Sequence, residues 1–323
     1  MCQLRNAQQR HLNQEKKRRK NDLLSFIYFL GDNEMVKEIF AKTILNRHKK
    51  RDPWFLDDYS LNPYQLCEFN CVYCYIRGSK YGDMKRELAV KINAPAILER
   101  ELFRRAERKE YGFIALSSAT EPWMYIEEKH EITRKCLEII SKHNFPVHCL
   151  TKSSLILRDI DILKEIDENA VLPADLRGKL NNGVLITFSF STLDENVRKI
   201  FEPNAPKVKE RLDTVKELKD LGLKVGIAFI PLLPFISDSE ERIEEMVKAA
   251  KELNVNYVFF GDLTLYGKGK EIYFKVLERY FPELVEEYEK IYRGAYLIRS
   301  YRNAFYKLAF ELCKKYGIKW RIV

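Results

Sequence analysis

The sequence predicts an α/β fold, a parallel sheet wound by right-handed crossovers into a partial (βα)6 TIM-like barrel with a helical segment at each end. Three observations carry that expectation. Six short apolar runs alternate with five stretches of helical period. The runs are nearly continuous in Val, Ile, Leu and Phe, as strands covered on both faces are. The first run opens directly into a loop with three cysteines, Cys67-Glu68-Phe69-Asn70-Cys71-Val72-Tyr73-Cys74.

Residues 1–51 read as a basic helical N-terminal extension. Its second helix is expected over residues 34–47, after Gly31-Asp32-Asn33 as break and cap. This segment holds 13 Lys and Arg against 5 Asp and Glu, so it accounts for nearly all of the net charge of +9. The run Lys16-Lys17-Arg18-Arg19-Lys20 fits a solvated helix face or a nucleic-acid contact. Residues 52–63 form an irregular, aromatic approach to the barrel, which is expected over residues 52–265. Strands are predicted at 64–66, 112–116, 146–150, 183–190, 224–230 and 257–260. Helices are predicted at 94–108, 127–143, 158–167, 208–221 and 239–253. In the last of these Ile243, Met246, Val247, Ala250 and Leu253 form one stripe, and Gly222 closes the one before it. Residues 266–323, largely helical and rich in Tyr and Phe, are expected to cap the barrel or a neighbouring face.

Composition bounds the function. At 46% apolar and 32% charged residues the chain is globular, not disordered. Its longest apolar runs, near residues 23–30 and 225–233, are too short to span a bilayer, and the N-terminus lacks a signal-peptide layout. No membrane partner and a cytoplasmic location are therefore expected. Seven cysteines without a small-secreted framework point to reduced thiols. Cys136, Cys149 and Cys313 read as small buried hydrophobes.

The cysteine loop is different. Thiolates suit iron–sulfur clusters, zinc and copper(I). A closed zinc site wants a fourth ligand, yet no second Cys-x-x-Cys or His-x-x-x-His follows. Three thiols with an empty fourth position suit a cluster with one open iron. The alternative is a non-catalytic zinc- and nucleic-acid-binding protein, colourless and with salt-dependent affinity.

Other polar groups stand at the carboxyl ends of the predicted strands, where such folds collect ligands. After the second come Ser117-Ser118-Ala119-Thr120-Glu121, and after the third Thr151-Lys152, whose ammonium can meet a carboxylate. Thr187, Ser189 and Ser191 alternate, hence share a face. Glu202-Pro203 follows, with Arg211 nine residues beyond Glu202. Pro231-Leu232-Leu233-Pro234 offers an apolar rim suited to an adenine.

Cys-x-x-x-Cys-x-x-Cys with an aromatic residue before the last cysteine resembles the signature of the radical S-adenosylmethionine (radical SAM) enzymes. Asn62-Pro63-Tyr64, Cys74-Tyr75, Thr151-Lys152, Phe188-Ser189 and Glu202-Pro203 are similar to the spore photoproduct lyase-like subgroup, over about residues 62–265. The resemblance implies a 4Fe-4S cluster on Cys67, Cys71 and Cys74, its open iron chelated by S-adenosylmethionine. It also implies reductive cleavage to a 5′-deoxyadenosyl radical and an external one-electron donor of flavodoxin or ferredoxin type. Tyr73 would lie by the adenine, and Lys152 and Ser189 would contact the cofactor. Thr120 and Glu121 would replace the Gly-Gly-Glu-like segment that meets the methionine amino group. One departure matters: Ser118 stands near where the subgroup's founding enzyme has a hydrogen-donating cysteine, and a serine O–H is far harder for a carbon radical to break. The substrate is therefore left open among nucleic acid, peptide and small metabolite, and Tyr75, Tyr125 and Cys149 are candidate relays.

Overall fold

The strands of the main sheet pair in the order in which the chain makes them. In the computed structural model, which describes residues 36–79 and 87–323, β1 (Lys37–Ile39), β2 (Leu45–Arg47), β3 (Asp57–Leu61), β4 (Tyr64–Gln65) and β5 (Ala89–Lys91) come first. Then follow β6 (Phe113–Leu116), β7 (Val147–Thr151), β8 (Val184–Phe190), β9 (Val225–Phe229) and β10 (Tyr257–Phe260). A seven-stranded sheet runs β10-β9-β8-β7-β6-β3-β2. Its members β3 and β6 to β10 are parallel, and β2 lies antiparallel on β3 at one edge. The two edge strands do not pair with each other, so the fold is the partial (βα)6 barrel that the sequence predicts. The free edge of β10 is covered by the chain's own tail, where Val258 N–H donates to Lys319 O at 2.9 Å.

Alternation sorts the strand residues between two cores. Val184, Ile186, Phe188 and Phe190 join the helices in one buried cluster, with Leu98, Leu137, Leu163, Val215 and Val247. Leu185 faces the other way, into the barrel, with Phe113, Ala228, Tyr257 and Phe259. The outer helices are α1 (Ala94–Glu107), α2 (Glu127–His130), α3 (Ile132–Lys142), α4 (Ile160–Asn169) and α5 (Glu195–Phe201). After them come α6 (Val208–Asp220), α7 (Glu240–Glu252), α8 (Gly267–Tyr280), α9 (Val285–Ile291) and α10 (Arg299–Tyr316). A short hairpin, β11 (Tyr292–Arg293) and β12 (Tyr296–Leu297), interrupts the otherwise helical C-terminal segment. In α10, Phe305, Ala309, Leu312 and Cys313 join the outer core.

Four expectations are corrected. The helix at 34–47 is absent where the structure describes it: residues 37–39 and 45–47 are strands, because β5 and β3 offer ladder partners that override local periodicity. Asn93 fixes the turn between them, bonding Ala41 N at 2.8 Å and Ala41 O at 2.9 Å. The first barrel strand is β3, not 64–66; Tyr64–Gln65 belongs to a small sheet with β5 and β1. The helix at 127–143 divides at Glu131, which is left-handed at φ 52°. There the Glu127 carboxylate accepts from Thr133 N and Arg134 N at 2.9 and 3.2 Å and caps the second helix. The helix at 158–167 starts later, at Ile160, after a tighter turn over Ser154–Asp159 capped by Ser153. The basic run at 16–20 lies outside the described residues.

Candidate functional site

The cysteine loop leaves β4 at the carboxyl-end rim and is fastened at both ends. Behind it, the Tyr64 hydroxyl donates to the buried Glu127, which pairs with Arg158 at 2.7 Å. Arg158 also bonds Asp159, and Asp159 accepts from Trp123 Nε1, each at 2.8 Å. Leu66 and Asn70 turn the chain through left-handed conformations, φ 63° and 52°. Within the loop, Cys74 N–H donates to Cys71 O at 3.2 Å and Val72 N–H reaches Phe201 O at 2.8 Å. The tight turn Tyr75–Gly78 then docks against the start of α8. Gly78 has no alternative there, since a Cβ would come within 2.0 Å of Tyr266 O.

Cys67, Cys71 and Cys74 are unpaired and half-buried. Burial pushes the Cys67 thiol well above its ordinary range, and the neighbouring Cys71, Glu121 and Cys74 add to it. Burial likewise pushes Cys71 up to about 11, opposed first by Lys152. Lys152 therefore acts on Cys71, and Cys71 and Cys74 act on Cys67. Lys152 Nζ donates to Ser189 Oγ at 2.9 Å, so Lys152 and Ser189, predicted from separate strands, meet.

Glu121 is buried, and its carboxylate is engaged within the protein. It accepts from Thr151 Oγ1 at 2.5 Å, Lys152 N at 3.0 Å and Trp123 N at 3.2 Å, and so sets the turn that presents Lys152. Burial raises its pKa, against those same bonds. Thr120 Oγ1 lies 3.3 Å from Ser117 Oγ and 3.4 Å from Asn62 Oδ1, which also takes Ala119 N–H at 3.0 Å. Asn62 thus ties the exit of β3 to that of β6. Tyr73 is buried and its hydroxyl donates to Glu202. Glu202 also accepts from Ser191 Oγ at 3.0 Å and pairs with Arg211. Burial alone would raise the Glu202 pKa, but Arg211 and Lys152 hold it down at about 2.

The remaining candidates separate. Tyr75 and Tyr125 are half-exposed at the rim, donating to Ser118 O at 2.6 Å and Asn204 O at 3.0 Å. Cys149 is buried in the helix-facing core, on the side of β7 away from the barrel interior, like Cys136 and Cys313 a small core residue. Leu232 and Leu233 are likewise buried. Glu127 and its pairing with Arg158 were not singled out by sequence, and Asn62, Tyr64 and Ser191 stood there only inside longer stretches with no role of their own. Their only signal is a polar residue beside a strand end, which is too common to choose them.

A sequence model of the radical SAM superfamily matches residues 61–246. The chain belongs to the radical SAM superfamily. Radical SAM enzymes use a 4Fe-4S cluster and S-adenosylmethionine and need an external electron donor, so the protein is an enzyme with those cofactors. Two relatives are uncharacterized proteins. Rv2578c of Mycobacterium tuberculosis is 26% identical over 268 residues, 80% of this chain and 75% of its own. MJ0683 of Methanocaldococcus jannaschii is 28% identical over 233 residues, 71% of this chain and 78% of its own. Among solved structures, spore photoproduct lyase complexed with dinucleoside spore photoproduct superposes with a TM-score of 0.61 at 15% identity, covering 86% of this chain and 78% of that one. SuiB of Streptococcus suis bound to S-adenosylmethionine gives 0.53 at 13% identity, covering 83% and 50%. Both show a shared fold. No helix among the described residues is long and apolar enough to cross a membrane.

Proposed function

We propose that Cys67, Cys71 and Cys74 hold the 4Fe-4S cluster and that Lys152, Ser189, Tyr73 and Thr120 surround S-adenosylmethionine, with Glu121 orienting Lys152. The observation that carries this reading is the Lys152–Ser189 pair at the strand ends, with Lys152 acting on Cys71 in the loop that bears three unpaired thiols. Once bound, the two cofactors supply a 5′-deoxyadenosyl radical by one-electron reductive cleavage. The protein's share is to fix the loop, present the Lys152 ammonium to a carboxylate and keep water away through the buried groups beneath. Thiol chemistry fits the cluster. Membership of the radical SAM superfamily favours a cluster over the zinc alternative.

The product is the modification or repair of a substrate at the barrel mouth, with a flavodoxin- or ferredoxin-type donor and a cytoplasmic setting. Nucleic acid is the substrate class that the basic segment 1–51 supports, and the structural neighbour bound to a dinucleoside photoproduct supports it too. Ser118 in place of a hydrogen-donating cysteine argues against the same repair reaction. Anaerobic reconstitution with iron and sulfide, then S-adenosylmethionine and dithionite, tests the reading. A brown protein forming 5′-deoxyadenosine is expected. A colourless protein that retains zinc and leaves S-adenosylmethionine intact would overturn it.

A further inference from the structure

Beneath the cysteine loop lies a charged pair that none of the roles assigned above requires. Arg211 and Glu202 are both fully buried and pair with each other. Every oxygen and most of the guanidinium face have a purpose. Glu202 accepts on one oxygen from the Tyr73 hydroxyl and from Ser191 Oγ at 3.0 Å, and on the other from Arg211. Arg211 Nε donates to Pro206 O at 2.9 Å, Nη1 donates to Ser189 O at 3.1 Å, and the guanidinium lies over the Phe190 ring at 5.6 Å. One continuous chain of hydrogen bonds thus runs from Tyr73, between Cys71 and Cys74, through Glu202 and Arg211 to Ser189. The hydroxyl of Ser189 receives Lys152.

Stability does not call for this arrangement. Taking a guanidinium and a carboxylate out of water costs several kcal/mol each, and apolar residues of similar volume serve a core as well or better. What apolar residues cannot supply is direction. A planar guanidinium with fixed N–H vectors holds the β8 exit and the Glu202 turn at a set separation. The Tyr73 hydroxyl then transmits that separation to the loop. The backbone bond from Val72 N to Phe201 O, one residue before Glu202, acts in parallel.

We propose that Glu202 and Arg211 are positioning residues, acting through Tyr73 and Ser189 to hold the three-cysteine loop in register with the Lys152–Ser189 rim. The inference rests on the site reading above and goes beyond it. The pair touches neither cofactor; it sets the distance between what binds the cluster and what binds S-adenosylmethionine.

Two variants test it. Tyr73→Phe removes a single hydroxyl and leaves the ion pair intact. The double variant Glu202→Leu with Arg211→Met replaces the pair by apolar groups, so no charge is stranded. For each reconstituted holoenzyme, iron content, melting temperature, S-adenosylmethionine affinity and the electron paramagnetic resonance spectrum of the reduced cluster with and without S-adenosylmethionine are measured. The expected result is wild-type iron content and melting in both variants. S-adenosylmethionine should bind about tenfold more weakly, as loss of groups that orient ligands typically produces, and should perturb the spectrum less than in wild type. Wild-type affinity and a wild-type spectral change in both variants would overturn the proposal. So would loss of iron and of thermal stability in both, because the pair would then be a structural support alone. A wild-type protein that takes up no cluster, or whose cluster spectrum ignores S-adenosylmethionine, would instead sink the site reading, and this inference with it.

Discussion

The two ends of the barrel are built from the same strands, yet they obey opposite rules. At the amino end, Trp54 stacks on Phe259 at 5.7 Å and Phe55 meets that ring edge-on at 5.4 Å, with Leu172, Leu176, Leu180 and Ile322 closing the floor. The polar groups there are the buried Asp57, 3.2 Å from His48 Nδ1, and one linked set. His148 bonds Phe55 O at 2.7 Å and Thr187 Oγ1 at 2.6 Å, and Thr187 meets the Tyr257 hydroxyl at 2.8 Å. The ring of Tyr257 fits only because residue 226 is glycine, where a Cβ would lie 2.0 Å from it. At the carboxyl end, buried charge joins the buried rings: Glu121, Glu202 and Arg211 lie near the half-buried Cys67 and Cys71. Every inward step along β8 follows this gradient, from Leu185 through Thr187 to Ser189. A closed apolar floor gives the strands their stability, and that stability lets the rim hold groups that a less rigid frame would leave to water.

If the ends are specialised in this way, substitutions should affect one property at a time. Cys71→Ala should abolish 5′-deoxyadenosine formation while changing the stability of the cluster-free protein by no more than about 1 kcal/mol, since it trims one small half-buried side chain. Phe259→Ala should do the reverse. Truncating a fully buried ring costs about 3–5 kcal/mol, read as a lower denaturant midpoint, with product formed per folded, iron-loaded molecule unchanged. If Phe259→Ala lowered that specific turnover as far as Cys71→Ala does, the division between the ends would be broken.

His148 offers a smaller and sharper test. Burial lowers its pKa to about 4, against about 6.5 in an unfolded chain. Between those values the unfolded chain takes up a proton that the folded one refuses. Stability is therefore fully present above about pH 6.5 and falls as pH drops toward 4, by at most about 3 kcal/mol. His148→Gln can keep both hydrogen bonds and does not titrate, so its melting temperature should lose that part of the acid dependence. An unchanged pH profile in the variant would mean that His148 is not the group responsible.

The sequence announced the two ends unequally. The rim was legible because its chemistry is rare: three thiols in eight residues, and a lysine directly after a strand. Five of the six barrel strands were legible as well, because Val, Ile, Leu and Phe runs covered on both faces have few other uses. β3 was not, since Asp57-Asp58-Tyr59-Ser60-Leu61 carries two acids where a buried strand should be apolar. The fold explains the second of them. Asp58 accepts from Phe113 N and Arg51 Nε, each at 3.0 Å, and so serves the neighbouring strand and the preceding loop. The strand at 37–39 was missed because its partner, β5, lies far away in sequence, and the strand at 45–47 because it pairs with the acid-bearing β3. The His148–Thr187–Tyr257 group was invisible because each member alone is an ordinary strand residue, and only the barrel's closure brings them together.

Lys152 and His148 make the finest comparison, because they lie four residues apart on the path of β7 toward the rim. Lys152 meets Ser189 and faces the thiols; His148 meets Thr187 and faces the floor. Lys152→Met keeps the apolar stem and removes the ammonium. A hydrogen bond from a charged donor contributes about 1.5–3 kcal/mol, so S-adenosylmethionine should bind at least about tenfold more weakly. Melting should stay within a few degrees of wild type, because Ser189 Oγ retains Ile230 O as a partner at 3.3 Å. Isothermal titration of both reconstituted proteins decides it. Equal affinities would move the carboxylate contact away from Lys152, and a large drop in melting temperature would make the lysine part of the frame, erasing the contrast with His148.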